Sequence, residues 1–381
     1  MGKIQEENTV KHIWFWQRIV SPHMAGLARA VASMGVKVTY VAEQTMSKAR
    51  AAQGWQIPDL GDAKLCIAPD ATTVNSLVGA ATEDSIHICQ GIRANGLVSK
   101  AQRGLAHRGL RQWVVMETVE DGGWRGLVKR FEYRRLFRSI APFLEGVLAT
   151  GHRTPGWVVS RGVPSRKVFP FAYFLFVDDV LLDKPLPTLS QRFRVLFVGQ
   201  FIERKRLDLL IDALADLDNS HVELIVVGSG PLEETLRQQA EQKLHGRVDW
   251  IGRLSMVEVR QQMALVDCLV LPSRHDGWGA VVSEALMVGT PVICSDHCGA
   301  AGVVQASGVG ASFSSGSKES LHHELEKILS EGKRSVVERA RLARWATSLE
   351  AKVGANYLLE LLNYKVSAEE SLLPPWLEKA Q

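Results

Sequence analysis

Two carboxylates and a knot of cations stand out in the second half of this chain. Asp276 and Glu284 lie eight residues apart in LPSRHDGWGAVVSEALMVGTPVICS, residues 271–295. Gly277, Trp278 and Gly279 follow the first acid. Glycines there let the backbone approach a ligand closely, and amides at a helix start can face an anion or a sugar hydroxyl. Asp276 can accept hydrogen bonds from sugar hydroxyls. Glu284 falls in an otherwise apolar helix, where an unpaired carboxylate is costly. A ribose diol would satisfy it, as would a structural salt bridge. Upstream, the strand RVLFVG ends at Gly199, and Gln200, Arg204, Lys205 and Arg206 follow before the next helix. Cations beside helix amides, beyond the carboxyl end of a parallel strand, suit a phosphate or diphosphate. A solvated basic loop is the competing reading. Gly228, Ser229 and Gly230 make a tight strand-to-helix turn ahead of Pro231, but Glu233 breaks a G-x-G-x-x-G pattern, so a nicotinamide fingerprint is absent.

The first half is less explicit. Glu117 ends the strand QWVVME, at the carboxyl edge where ligands gather. Gln90 and Gly91 end IHICQG in a similar place. Ser21 can cap a helix that Pro22 opens, and His23 could meet a phosphate or an acceptor. The five cysteines are odd in number and form no Cys-x-x-Cys pair, which argues against a disulfide framework or a structural zinc. Cys294, His297 and Cys298 are too few to hold a metal, and Asp178–Asp179 falls in a linker. No metal site is expected.

The elements that must position these residues read as α/β. The chain has 381 residues, 46% apolar and 23% charged, with a net charge of +4. That excludes a mostly disordered chain, leaves room for two domains, and is too weak a charge to argue for nucleic acid. Strands are predicted at 11–16, 36–42, 64–68, 86–89, 112–116 and 146–149, with helices between them. A linker is expected at 176–193, around its two prolines. The pattern restarts with strands at 194–199, 222–228, 248–252, 267–273 and 291–295. Short β-rich runs alternating with helices imply parallel sheets covered on both faces. The spans 319–331 and 334–363 read as helical, with apolar surface beyond the needs of the second domain. The prolines of SAEESLLPPW should break this tail.

The second half resembles the C-terminal domain of retaining glycosyltransferases of family 4, which have the GT-B fold. That family's pattern of an acid, seven residues and a glutamate appears here in Pro272, Ser273, Asp276, Gly279, Glu284, Ala285, Gly289, Pro291 and Val292, with Asp in place of the usual first Glu. The upstream G-R-x-x-x-x-K-G appears as Gly199, Gln200, Lys205 and Arg206, with Gln200 at the arginine position. The resemblance covers roughly 190–360. It implies two Rossmann-like domains facing a central cleft: an acceptor-binding domain at 1–185, a nucleotide-sugar domain at 186–350, and a tail at 351–381 packing back on the first. It implies that Lys205 and Arg204 hold the donor diphosphate, that Gln200 and Gly228 are donor-binding, and that the base sits beyond the 228–230 turn, near Arg253 and Leu254. Glu284 would bind the ribose, while Asp276, Gly277, Trp278 and Gly279 would grip the sugar. Glu117 is the first domain's polar candidate. The implied donor is a UDP- or GDP-linked sugar, with no cofactor, no metal and no protein nucleophile.

Residues 100–138 hold ten Lys or Arg against four acids. Trp124, Leu127, Phe131, Leu136 and Phe137 are interleaved with them. A helix with an apolar side and an Arg-rich side can lie on an anionic membrane, here through 125–138. A solvated basic face on a sheet-packed helix is the plain alternative. The leading expectation is sugar transfer to a glycan or lipid-linked glycan in surface polysaccharide or lipopolysaccharide assembly. A small-molecule acceptor and a non-catalytic nucleotide-sugar-binding protein stay open. The polar start of the chain lacks a signal-peptide core, and no stretch reaches transmembrane length, so the expected place is the cytoplasm or the cytoplasmic face of a membrane.

Overall fold

The computed structural model describes residues 10–47, 57–176, 192–217, 221–364 and 372–378. The expected linker lies almost wholly outside them, as do Asp178 and Asp179. In the first half β1 (His12–Ile19), β2 (Lys37–Gln44), β3 (Lys64–Ile67), β4 (Ile86–Gln90), β5 (Gln112–Glu117), β6 (Leu144–Thr150) and β7 (Val168–Phe171) form a parallel sheet in the order β3-β2-β1-β4-β5-β6-β7. In the second half β8 (Phe193–Val198), β9 (Val222–Val227), β10 (Val248–Gly252), β11 (Cys268–Leu271), β12 (Val292–Ser295) and β13 (Gly310–Phe313) form another, ordered β10-β9-β8-β11-β12-β13. Each reverses its strand order once, between β1 and β4 and between β8 and β11. Doubly wound sheets open a ligand crevice at such a point.

The strands are buried on both sides because both faces carry large apolar residues. In β1, Ile13 and Phe15 enter one core and Trp14 and Trp16 the other. One polar group shares the Trp side. His87 on β4 is fully buried, accepts from the Trp16 indole at its Nδ1 (3.2 Å), and has Ser85 Oγ 3.0 Å from its Nε2. Burial pushes its pKa down to about 3, so the ring is neutral in the fold.

Sequence reading missed β7 and β13. β7 is a four-residue edge strand carrying Pro170, which an edge tolerates. β13 is the small-residue run GASF, with little of the β-branched signal strands usually show. The single helix expected at 334–363 is corrected to two helices, Val336–Ala346 and Ala351–Asn363. The chain turns extended at Glu350 to bridge Leu175. That break separates two packing jobs. The first helix stays on the second domain through buried Arg339, whose guanidinium donates to the carbonyls of Val266 (2.7 Å) and Ala264 (2.9 Å) and to Thr290 Oγ1 (2.8 Å). The second helix returns to the first domain, against the helix Pro22–Ser33. Tyr357 donates to Pro170 O (3.0 Å), and Gly354 leaves room for the Phe174 ring. Of the final segment, 365–371 lies outside the described residues, and Trp376 is buried beside Phe174.

Candidate functional site

The second domain brings two loops together at its switch point. One leaves β8 through Gly199, Gln200 and a short 3-10 turn, Glu203–Lys205. The other leaves β11 through Pro272–Gly279. Lys205 Nζ lies 2.5 Å from Asp276 Oδ2, and Arg204 Nη1 lies 3.7 Å from Asp276 Oδ1. Arg204 also donates to the His275 carbonyl (2.8 Å), and Ser273 Oγ donates to Asp276 Oδ2 (3.3 Å). The Arg274 amide donates to the Arg204 carbonyl, tying the loops by backbone as well (2.8 Å). The structure separates two cations that the sequence left equivalent. Arg206 sits at φ 55°, and its guanidinium turns to Asp208 (3.1 Å). Arg204, not Arg206, supplies the second positive charge. The Gln200 side chain forms no hydrogen bond among the described residues.

Gly228 is where β9 meets this cluster. Its φ is +141°, and a Cβ there would lie 1.9 Å from the Gly199 carbonyl oxygen. The glycine lets two strand ends close on each other. Beyond it, Arg253 Nε is 2.5 Å from Ser229 Oγ.

The loop after Asp276 is held by β12's exit. The Asp276 amide donates to His297 O (3.1 Å), and the Gly299 amide donates to Asp276 O (2.9 Å). Gly279, at φ +86°, precedes the helix Ala280–Met287 and packs on Cys298. Trp278 departs from its expected role. Its indole is buried and donates to Ser283 Oγ (3.1 Å), so only its backbone faces the loop. Gly277 carries one of the contacts between domains. A Cβ on it would lie 1.6 Å from Glu117 Oε2, so the Glu117 carboxyl rests against the bare glycine. Glu117 thus reaches across from β5 to the helix start that faces the cations.

Glu284 is partly buried one turn into that helix. No hydrogen bond or ion pair reaches its carboxylate among the described residues. Burial raises its pKa, and the charge of Arg260, on the helix Met256–Ala264, opposes the rise. Gly289 of the same motif is structural: at φ +75°, a Cβ would strike the Arg339 carbonyl.

The other first-domain candidates divide. Gln90 Oε1 accepts from the Arg18 amide (3.0 Å), so it braces the exit of β1. Ser21 accepts from the Met24 amide (3.4 Å), and Pro22 opens the helix as expected. His23 stacks on Tyr173 (5.1 Å), which meets Trp278 edge-on (6.3 Å). Three residues at the cleft were missed. Arg260 and Tyr173 have no sequence signal. His152 had one, for it follows β6 as Glu117 ends β5. Its amide donates to the Gly299 carbonyl (3.0 Å), and burial lowers its pKa. Among the described residues no three His, Cys, Asp or Glu side chains cluster to hold a metal ion.

Residues 182–344 match the family described as glycosyl transferases group 1. A GDP-mannose-dependent alpha-(1-6)-phosphatidylinositol monomannoside mannosyltransferase of Mycobacterium tuberculosis is 28% identical over 170 residues, 42% of this chain and 44% of that protein. The lipopolysaccharide core biosynthesis glycosyltransferase LpsE of Rhizobium meliloti is 30% identical over 156 residues, 41% of this chain and 44% of LpsE. The match therefore spans less than half of these relatives. The crystal structure of Anabaena Alr3699/HepE in complex with UDP and glucose superimposes with a TM-score of 0.67 at 15% identity, covering 92% of this chain and 99% of that one. The fold is GT-B, and residues 182–344 are similar to the group 1 glycosyl transferases.

Proposed function

We propose that this protein is a retaining glycosyltransferase that moves a sugar from a nucleotide-sugar donor to a glycan or lipid-linked glycan in surface polysaccharide or lipopolysaccharide assembly. The observation that carries the reading is a convergence at the β8/β11 switch point. Two cations, a helix start with bare glycines, and a carboxylate with no hydrogen-bond or ion-pair partner among the described residues meet there. The names of LpsE and the mycobacterial mannosyltransferase support glycan assembly. The UDP and glucose held by the Anabaena protein support a nucleotide-sugar donor.

In this reading Lys205 and Arg204 take the donor diphosphate, exchanging contacts with Asp276 for contacts with phosphate oxygens. Glu284 accepts hydrogen bonds from the ribose diol. The amides of Gly277–Gly279 and the Asp276 carboxylate hold the sugar, and Glu117 closes the cleft over it. Charge grows on the leaving diphosphate as the bond to the anomeric carbon breaks. Lys205, Arg204 and the helix amides stabilise that charge without a metal. The acceptor hydroxyl attacks from the face the phosphate leaves, and its proton passes to the departing phosphate oxygen. Atoms and charge balance, and no protein nucleophile is required.

The test is calorimetry against UDP-, GDP-, ADP-, CMP- and dTDP-linked sugars with chelator present, followed by NMR of the product's anomeric configuration. Selective binding of one donor, lost in Glu284→Ala, is expected, with configuration kept on transfer. Inversion would overturn the retaining assignment. A donor bound equally well by Glu284→Ala would overturn the site.

A further inference from the structure

The helix Gly123–Ile140 is unusual in carrying apolar residues on two opposite faces. Tyr133 and Phe137 are buried in the first domain's core with Val114 and Val147. On the other face Trp124, Leu127, Val128 and Phe131 stand 62–72% exposed. Their i, i+3, i+4, i+7 spacing makes one continuous stripe. Elsewhere among the described residues, large exposed apolar side chains come singly or in pairs along the chain. The sequence reading had grouped Leu136 and Phe137 with the apolar residues of this helix's one apolar side and overlooked Val128.

The same solvent face continues into cations. At 100° per residue, Arg135 and Arg138 follow the stripe one and two turns on. Neither forms an ion pair among the described residues. The neighbouring charges are engaged. Arg130 meets Asp121 (3.5 Å), Lys129 donates to Glu120 O (2.7 Å), Glu132 pairs with Arg93 (2.7 Å), and Arg134 donates to Ser160 O (3.2 Å). What faces solvent is an apolar half-stripe continued by two uncompensated positive charges.

We propose that this face docks the protein on an anionic lipid membrane, with Trp124, Leu127, Val128 and Phe131 entering the interface and Arg135 and Arg138 on the headgroups. Charge complementarity selects the membrane over a second copy of the chain. A second copy paired through this face would bring the same apolar side chains and the same two arginines rather than an anionic surface. Four side chains also offer only a few hundred Å² against the roughly 800 Å² per partner of a stable interface. The placement has a consequence that rests on the transfer reading above. The helix begins six residues after Glu117, which rests on Gly277, so the chain tethers the start of the stripe within about 20 Å of the cleft. A lipid-borne acceptor would reach the cleft without leaving its membrane.

The test is flotation of the full chain with phosphatidylcholine vesicles, with and without phosphatidylglycerol. Binding is expected with the anionic lipid and should weaken with salt. Leu127→Ser with Phe131→Ser should lower partitioning more than about tenfold. Arg135→Gln with Arg138→Gln should lower it about thirtyfold, at about fivefold per arginine near the surface. Both variants should keep the native circular dichroism and donor affinity, so loss of the donor site and loss of the surface read separately. Native protein that ignores anionic vesicles overturns the proposal. So does unchanged binding by both variants. A dimer in light scattering that the Leu127→Ser/Phe131→Ser variant disperses, with no vesicle uptake, assigns the face to a second copy instead.

Discussion

Glu284→Gln should move stability and donor binding in opposite directions. The carboxylate sits in an apolar helix with no hydrogen-bond or ion-pair partner among the described residues, and burial raises its pKa. A raised carboxyl pKa means that the folded state binds its proton more tightly than the unfolded chain. The fold is then penalised as pH rises above the unfolded value of 4.5, and the penalty grows until pH passes the raised folded value. The amide keeps the shape and removes the charge. Relief of an uncompensated buried polar charge is worth about 1 kcal/mol, or a rise in melting temperature of about 2–4 °C in a domain of this size. Donor binding should fall more than a hundredfold, because two charge-assisted hydrogen bonds to a diol contribute about 1.5–3 kcal/mol each. Scanning fluorimetry at pH 5 and pH 8 measures the first effect, and calorimetry with the preferred nucleotide sugar the second. The stabilisation should be larger at pH 8. A variant that melts below the native protein at pH 8 would show that Glu284 has a protein partner in solution. Undiminished donor affinity would remove it from the ribose site.

The remaining outcomes follow from other contacts. Lys205→Ala removes one charge-assisted contact to phosphate and should weaken donor binding about 10- to 100-fold while the circular dichroism stays native; binding within threefold of native would refute its role. Gly277→Ala places a methyl on the mobile end of Glu117, so the fold should hold while transfer falls at least about tenfold. Adding Glu117→Ala should then cost nothing further, and additive losses would show that the two residues act separately. His87, with its pKa held near 3 against 6.5 unfolded, withdraws stability as pH drops from 6.5 towards 3, about 2 kcal/mol by pH 5. His87→Gln should flatten that part of the urea-midpoint profile, and an unchanged slope would place the acid sensitivity elsewhere.

Much of this architecture was legible because a doubly wound fold writes itself in local signals. Val222–Val227 is a near-continuous apolar strand, followed by Gly228 and a helix opener. That pattern repeats often enough to predict both sheets. The misses have physical causes. β13 lacks β-branched residues, and β7 depends on its edge position to accept Pro170. The break at Glu350 answers a tertiary demand, since residues before it serve one domain and residues after it the other. No local propensity records that. At the site, spacing placed Asp276 and Glu284 correctly on a loop and the following helix. It could not tell Arg204 from Arg206, because the difference is a left-handed backbone at one residue. Nor could it show that the Trp278 indole turns inward to Ser283.

The two departures from the pattern that the second half resembles make sense together once the cluster is seen in space. A longer acid at 276 would carry its carboxylate one methylene further from the loop. Asp276 instead ends where Lys205, Arg204 and Ser273 all reach it. Replacing an arginine by Gln200 removes one cation from the same neighbourhood. The cluster around Asp276 therefore holds two cations against one anion, a local surplus of a single positive charge. A third cation would add repulsion at the strand ends that Gly199 and Gly228 let close. In the proposed reaction the incoming diphosphate competes with Asp276 for the same two cations. Asp276 is then released toward the sugar hydroxyls at the moment Lys205 engages phosphate. Restoring the family's residue as Asp276→Glu should therefore weaken donor affinity rather than improve it, because the longer carboxylate shifts Lys205 off the position its present contact sets. Calorimetry of Asp276→Glu alone and with Gln200→Arg decides the matter. If Asp276→Glu alone binds donor as tightly as native protein, the shorter acid is not what positions Lys205. If only the double variant recovers affinity, the two positions act as one electrostatic unit.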